Sequence, residues 1–342
     1  MILSIILRRK LVNNLTKNRL LEIKENFKNY NIAVIGDMML DGYLWGDVQR
    51  ISPEAPVPIV DIDNEFFRFG GAANVALNIS KLGCNPIPIG VIGDDRNGEI
   101  FRGLLHDAHM NSESLIVDSS RTTTTKTRVI SSDQQIVRID KESKKEISKE
   151  IEEKILFSLN SNIDKIDGII LEDYNKGVLS SSLIENIISL ANERNKVVTV
   201  DPKFDNFFSY KNVTVFKPNL KETEDAFGVK LTSKNKIEDI GFKLLEKIKS
   251  KYLLLTLGAD GMAVFEKDKE INFIPTKARK VLDVSGAGDT VISTLTLSLI
   301  SDATIYEATC LANYAGGLVC EEAGVVPIEF NNLFDHILTE LK

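Results

Sequence analysis

Cysteine is scarce in this chain: Cys84, Cys310 and Cys320 are the three in 342 residues, and no two form a CxxC pair. A sparse, odd set argues against a disulfide scaffold and fits a reducing compartment. Basic charge is also short, with 42 Lys and Arg against 49 Asp and Glu and a formal net charge of −7. Nucleic-acid binders normally carry an excess of cations to neutralise phosphates, so that class is disfavoured. No apolar run reaches the roughly 18 residues of a membrane span. The opening MILSIILRRK places its apolar stretch before its basic residues, the reverse of a secretory signal. Residues 1–15 therefore read as a frayed, tag-like extension, and the protein as cytoplasmic. With 21 Gly and 9 Pro the chain is neither collagen-like nor of low complexity. No repeat of solenoid period is visible.

What is present is an ordinary globular composition, 43% hydrophobic and 27% charged, sufficient for a buried core. The length allows two domains or one large α/β domain. Residues 16–29 read as a charged amphipathic helix, and Ile32–Ile35 as a buried strand ending at Gly36-Asp37. GGAANVALNISKLG (70–83) reads as a helix with a close-approach start and a Gly C-cap. PIPIGVIG (86–93), GIILEDY (168–174), KVVTVDP (196–202) and NVTVFKPN (212–219) read as strands. Helices are expected over about 96–109, 141–159, 181–194, 284–300 and 304–321, and a strand–turn–strand over 252–266. Alternating strands and helices predict a largely parallel sheet covered on both faces. Segments near 43–68 and 122–140 break the alternation and are expected to form a small β lid over the ligand-binding edge.

DVSGAGDT (283–290) is the strongest motif. Gly286, Ala287 and Gly288 open a helix whose first-turn amides lack partners, so an anion can approach them closely. Asp289 beside that anion site reads as a general base, or else as the acidic first turn of a plain helix start. In KPNLKETE (217–224), Asn219 and Glu222 share one face of a helix's first turn. They would hold Mg²⁺ through water, or form a capping pair. TLGADG (256–261) has Gly258 and Gly261 for a tight turn, against a ligand or simply between strands. Asp37, Asp41, Gly70, Gly71 and Asn74 suit sugar hydroxyls, or turn and cap chemistry.

These motifs, in this order over roughly residues 30–330, resemble the ribokinase-like (PfkB) carbohydrate kinase family. DVSGAGDT resembles its C-terminal signature, with Val284 and Ser285 replacing the commonest residues there; N-x-x-E at 219–222 resembles its magnesium and phosphate motif, and Gly70-Gly71 its N-terminal signature. Within the family, RISPEAPVP (50–58), EDYNKGVL (172–179) and VDPKFDNF (200–207) resemble the D-glycero-β-D-manno-heptose 7-phosphate kinases. The resemblance implies a ribokinase-like α/β fold with a β lid, and transfer of the ATP γ-phosphoryl to the sugar's 1-hydroxyl in ADP-heptose synthesis. It implies Asp289 as base with the Gly286–Gly288 amides around the transferred group, and Asn219 and Glu222 at Mg²⁺. Thr256, Gly258, Ala259, Gly261 and Asn313 would border the nucleotide. Asp41, Gly70, Gly71, Asn74 and Asp173 would hold the sugar, and Arg50, Lys126, Arg128, Arg138, Lys176 and Lys203 the substrate's phosphate. A monovalent cation is a further candidate cofactor, and a homodimer through the lid is expected.

The domain boundaries expected are 1–30 for an N-terminal extension and helix, and 31–342 for the kinase. The histidines His106, His109 and His336 form no H-x-G-H motif, so a stand-alone kinase without adenylyltransferase activity is expected. Two alternatives stay open. One is a ribokinase-like kinase for another sugar, sugar phosphate or nucleoside. The other is a non-catalytic sugar or nucleotide sensor on the same fold.

Overall fold

The computed structural model describes residues 15–341 apart from Asp133, Arg279 and Ala323. The expected 1–15 extension therefore lies, but for Leu15, outside the described residues. Helix α1 (Lys17–Asn26) starts at Thr16, whose side chain accepts from the Arg19 amide. It buries Leu20 and Ile23 against the body of the protein.

The central sheet has nine strands in the order β13-β12-β11-β10-β9-β8-β1-β4-β5. These are β1 (Asn31–Gly36), β4 (Asn85–Gly93), β5 (Leu115–Asp118), β8 (Gly168–Glu172), β9 (Val197–Asp201), β10 (Val215–Phe216), β11 (Tyr252–Thr256), β12 (Met262–Glu266) and β13 (Asn272–Ile274). Pairing is parallel from β5 through β11, and antiparallel for β11–β12 and β12–β13. Helices α2 (Ala72–Lys81), α3 (Arg96–Asp107), α8 (Ala287–Ile300), α9 (Ile305–Cys320) and α10 (Phe330–Glu340) bury apolar side chains in the core on one face. Helices α4 (Lys149–Asn162), α5 (Ser181–Glu193) and α7 (Lys234–Ile248) do so on the other. Burial on both faces explains the unbroken apolar runs such as Ile169–Leu171 and Leu253–Leu255, where a one-sided sheet would alternate. Helix α6 (Leu220–Phe227) follows β10 directly. The result is the largely parallel sheet with helices on both faces that the alternation of strands and helices predicts.

A second sheet has the order β3-β2-β6-β7, from β2 (Met38–Ile51), β3 (Pro58–Gly71), β6 (Thr124–Ser131) and β7 (Gln134–Lys141). Its two long strands start and end nearer the main sheet than 43–68 suggests. Only Asp37 separates β1 from β2, and β3 runs to Gly71, the residue before α2. Gly71 sits at φ 56°, and a Cβ there would come 2.5 Å from the Asp37 carbonyl oxygen. The helix expected at 141–159 begins only at Lys149. Ser148 caps it by accepting from the Ile151 amide, while β7 continues to Lys141.

Asp37 ties the two sheets to the turn after β8. Its carboxylate accepts from the amides of Tyr174 at 2.7 Å, Lys176 at 3.1 Å and Val178 at 3.3 Å, and it is 1% exposed. Asp37→Ala strands three buried donors and should cost roughly 2–5 kcal/mol. Urea unfolding of the variant checks this; a loss under ~1 kcal/mol would show that water replaces the carboxylate.

Candidate active site

Parallel strands place the carbonyl ends of β1, β8, β9 and β10 along one edge. Gly36 pairs with Glu172, Glu172 with Asp201, and Val200 with Phe216, the residue before Lys217. Val34, Ile170, Thr199 and Val215 precede the edge by two residues on the α8 face, where Thr199 meets Thr296 of α8. The period of two therefore puts Glu172, Asp201 and Lys217 side by side on that face, at the N-terminal end of α8.

Helix α8 opens at Gly286, φ 79°, where a Cβ would lie 3.0 Å from Val325 Cγ1 and 3.1 Å from Asn74 Nδ2. The Ala287 amide is already donated to the Val284 carbonyl at 3.2 Å, so it is not open to an anion. The Gly288 amide meets no backbone carbonyl among the described residues, and a Cβ at Gly288 would lie 3.5 Å from Asp201 Oδ2 and 3.8 Å from Lys217 Nζ. Asp289 follows in the first turn and is 5% exposed. Its Oδ2 accepts from Asn74 Nδ2 at 2.6 Å and its Oδ1 from the Tyr174 hydroxyl at 3.0 Å. Burial pushes the Asp289 carboxyl up to about 6; the Asn74 bond opposes this, the Asp201 charge adds to it, and Tyr174 and Lys217 again lower it.

The carboxylates and lysines behind this helix start are mutually paired. Lys217 Nζ donates to Asp201 Oδ2 at 2.8 Å. Lys203 bonds Glu222, lies 3.6 Å from Asp201 Oδ1 and stands over the Tyr174 ring at 5.3 Å. Burial alone would lower both ammonium groups, but the Asp201 carboxylate, with Glu222 and Glu172, holds both above their ordinary value. Both Glu172 oxygens are buried without a partner among the described residues, and burial beside Asp201 and Asp289 raises its carboxyl well above the usual range.

A cavity of about 670 Å³ opens on this edge. Gly286, Ala287, Gly288 and Asp289 line it together with Tyr174, Lys203 and Lys217. Thr256, Gly258, Ala259, Gly261, Asn219 and Asn313 line it too. Gly258 opens a single 3₁₀ turn, and Asn313 Nδ2 is donated to the Pro275 carbonyl at 2.7 Å. Asn219 and Glu222 form a complete capping box: Asn219 Oδ1 accepts from the Glu222 amide and Glu222 Oε2 from the Asn219 amide, each at 2.8 Å. Both Glu222 oxygens are thus engaged, one by the cap and one by Lys203.

Asp41, Gly70, Gly71 and Asn74 gather where β2 and β3 meet α2. Gly70 packs closely there, since a Cβ would lie 2.8 Å from Asp41 Oδ2 and would displace that carboxylate. Asp41 Oδ1 accepts from Arg128 at 2.6 Å. Asp173 faces elsewhere: its oxygens take the Tyr210 hydroxyl at 2.6 Å and the Asn175 amide at 2.8 Å, so it anchors a turn and offers nothing to a sugar. Arg50 sits near the outer end of β2 opposite Ile59, an exposed position. Three other expected cations are spoken for by carboxylates on or just after β7. Lys126 meets Asp140 at 3.2 Å and Glu142 at 3.5 Å, Arg138 meets Asp140 at 2.8 Å, and Lys176 meets Glu142 at 2.9 Å. Sequence reasoning missed Tyr174, Asp201 and Lys217. All three lie inside motifs already quoted, at strand ends, where the period of two would have singled them out.

Residues 29–329 match the pfkB family carbohydrate kinase domain. The bifunctional protein HldE of Desulfatibacillum aliphaticivorans is 43% identical over 303 residues, 89% of this chain and 62% of that protein. The bifunctional protein HldE of Geobacter sulfurreducens is 42% identical over 294 residues, 86% of this chain and 60% of that protein. The chain thus spans about three fifths of the length of these relatives. Among solved structures, phosphofructokinase-2 from Escherichia coli with substrates and products superposes at TM-score 0.74, with 18% identity, over 92% of this chain and 99% of that one. Ribokinase from Arabidopsis thaliana with ribose and ATP superposes at 0.72, with 17% identity, over 91% and 99%. No helix among the described residues is long and apolar enough to cross a membrane. With an anion-ready helix start beside a buried carboxylate, and a family match over most of its length, the chain belongs to the pfkB family of carbohydrate kinases, phosphotransferases that act on sugars.

Proposed function

We propose that the protein transfers the γ-phosphoryl group of ATP to the 1-hydroxyl of D-glycero-β-D-manno-heptose 7-phosphate, giving the 1,7-bisphosphate for ADP-heptose synthesis. The observation that carries the chemistry is Asp289, buried at the first turn of α8 with one oxygen toward Asn74 and the other toward Tyr174. The substrate class rests on RISPEAPVP and on the two HldE relatives. Asp289 takes the hydroxyl proton as that oxygen bonds the γ-phosphorus. The bond from the γ-phosphorus to the bridging oxygen breaks, and ADP leaves with its electron pair. The Gly288 amide, the α8 N-terminus and Lys217 stabilise charge on the transferred group. Thr256, Gly258, Ala259, Gly261 and Asn313 border the nucleotide, and Asp41, Gly70, Gly71 and Asn74 the sugar.

Magnesium fits this site as an ion held through water. Among the described residues no three carboxylate, His or Cys side chains converge on one point; of the expected pair Asn219 lines the cavity, while Glu222 stands behind it in the cap and on Lys203, and the lysine-paired Asp201 carboxylate lines the cavity beside them. Bound with ATP, Mg²⁺ neutralises charge on the phosphates. We also propose a homodimer through the lid, whose edge strand β7 exposes Ile136, Val137 and Ile139.

Incubation with ATP, Mg²⁺ and heptose 7-phosphate, followed by phosphorus NMR, should show a second phosphate on C1. A phosphate on any other carbon, or no transfer, overturns the substrate reading. Asp289→Asn should lower kcat by about 10²–10⁴ while ATP binding and the melting temperature hold, and near wild-type turnover would remove Asp289 as the base. Because the raised carboxyl must be ionised to accept a proton, kcat/KM should fall on acidification through a limb at about 6. An acid limb at the ordinary value near 3.8 would contradict that assignment.

A further inference from the structure

Directly opposed residues on neighbouring strands share one face of a sheet. In the lid this gives two adjacent rows. One is Arg68–Asp41–Lys126–Asp140 and the other Phe66–Tyr43–Arg128–Arg138. Four cations therefore share the face that carries Asp41. Three of them are neutralised: Lys126 and Arg138 by Asp140, and Arg128 by Asp41. Arg68 differs, since among the described residues no carboxylate pairs with it. Its Nη1 donates to a neutral acceptor, the Val325 carbonyl, at 2.9 Å. Its guanidinium lies 5.7 Å from the Tyr43 ring and 5.6 Å from the Phe66 ring, two rings stacked at 4.9 Å. Arg128 stands 5.3 Å from the same Tyr43 ring.

Aromatic faces and a carbonyl orient a guanidinium without cancelling its charge, so its remaining donors stay open to a doubly charged anion. The position suits the far end of a sugar. Val325, which holds Arg68, packs against Gly286 at the start of α8, and Asn74, which holds the base, is the other close neighbour of Gly286. Arg68, Asn74 and Val325 also line a common cavity of about 430 Å³. Asp107, a carboxylate in the same lining, has a side chain 79% exposed and screened by water.

We propose that Arg68 is the specificity residue that binds the phosphate monoester already present on the sugar substrate, with Arg128 beside it. This rests on the sugar-phosphate reading above. Of the cations singled out from sequence, Lys126, Arg138 and Lys176 are paired with Asp140 and Glu142, and Lys203 with Glu222, whereas Arg68 is a residue that the motifs did not mark.

The test compares KM and kcat for heptose 7-phosphate and for the unphosphorylated heptose in wild type, R68Q and R68K. Loss of one charge-assisted phosphate contact predicts a KM for the 7-phosphate raised about 10- to 100-fold in R68Q, with a smaller rise in R68K. The KM for ATP and the values for unphosphorylated heptose should hold within about 2-fold, and the preference for the phosphorylated sugar should collapse. A stapling role for Arg68 would instead lower the melting temperature and weaken both sugars and ATP alike. That outcome overturns the proposal, as does a wild-type preference retained in R68Q. If wild type itself uses the two sugars equally, the sugar-phosphate reading fails first and the role of Arg68 falls with it.

Discussion

Asp289 accepts one hydrogen bond on each oxygen, from Asn74 on the first turn of α2 and from Tyr174 on the turn after β8. The chain crosses between the main sheet and the lid before β2, after β3, before β6 and after β7, and the two donors sit beside the first two of these crossings. Asn74 lies just beyond the end of β3, and Tyr174 is held by Asp37 at the junction of β1 and β2. The position of one carboxylate thus depends on both hinges being in register. The tight packing there leaves no room for a side chain at Gly71, against the Asp37 carbonyl, and sets Gly70 close against the Asp41 carboxylate.

The charges behind Asp289 explain how a net acidic protein can hold a nucleotide. Asp201, Glu222 and Glu172 outnumber Lys203 and Lys217, yet the lysines remain charged because the carboxylates hold them so. A buried, fully protonated lysine is what a γ-phosphoryl group needs nearby. Glu172 is a different matter. With no partner for either oxygen among the described residues and two carboxylates close by, burial raises its carboxyl well above the usual range.

Much of this was legible in the amino-acid order, for identifiable reasons. Helix α8 could be read from Gly-Ala-Gly because small residues at a helix start leave the first-turn amides reachable. The capping box at Asn219 and Glu222 could be read from its spacing of three. The helix placed at 141–159 began late because a run of charges marks no start, whereas Ser148 does. Helix α7 went unread although Ser233 and the apolar positions Leu244, Leu245 and Ile248 carry its pattern. The cation site was the least legible part. Whether a lysine or arginine is free depends on which carboxylate faces it, and the partners of Lys126, Lys176 and Lys203 arrive from other elements of the fold. Arg68 stands out only once β2, β3 and β6 are aligned and its neighbours prove to be rings and a carbonyl.

Burial raises the Asp289 carboxyl while two fixed donors restrain the rise. Carbon-13 NMR of the labelled carboxylates, with the Asp289 resonance identified by its loss in Asp289→Asn, tests this directly. The expected midpoint is about 6 in the wild type and higher in Tyr174→Phe, where a donor to the ionised form is gone. A wild-type midpoint at the ordinary aspartate value, or one that Tyr174→Phe leaves in place, would contradict it.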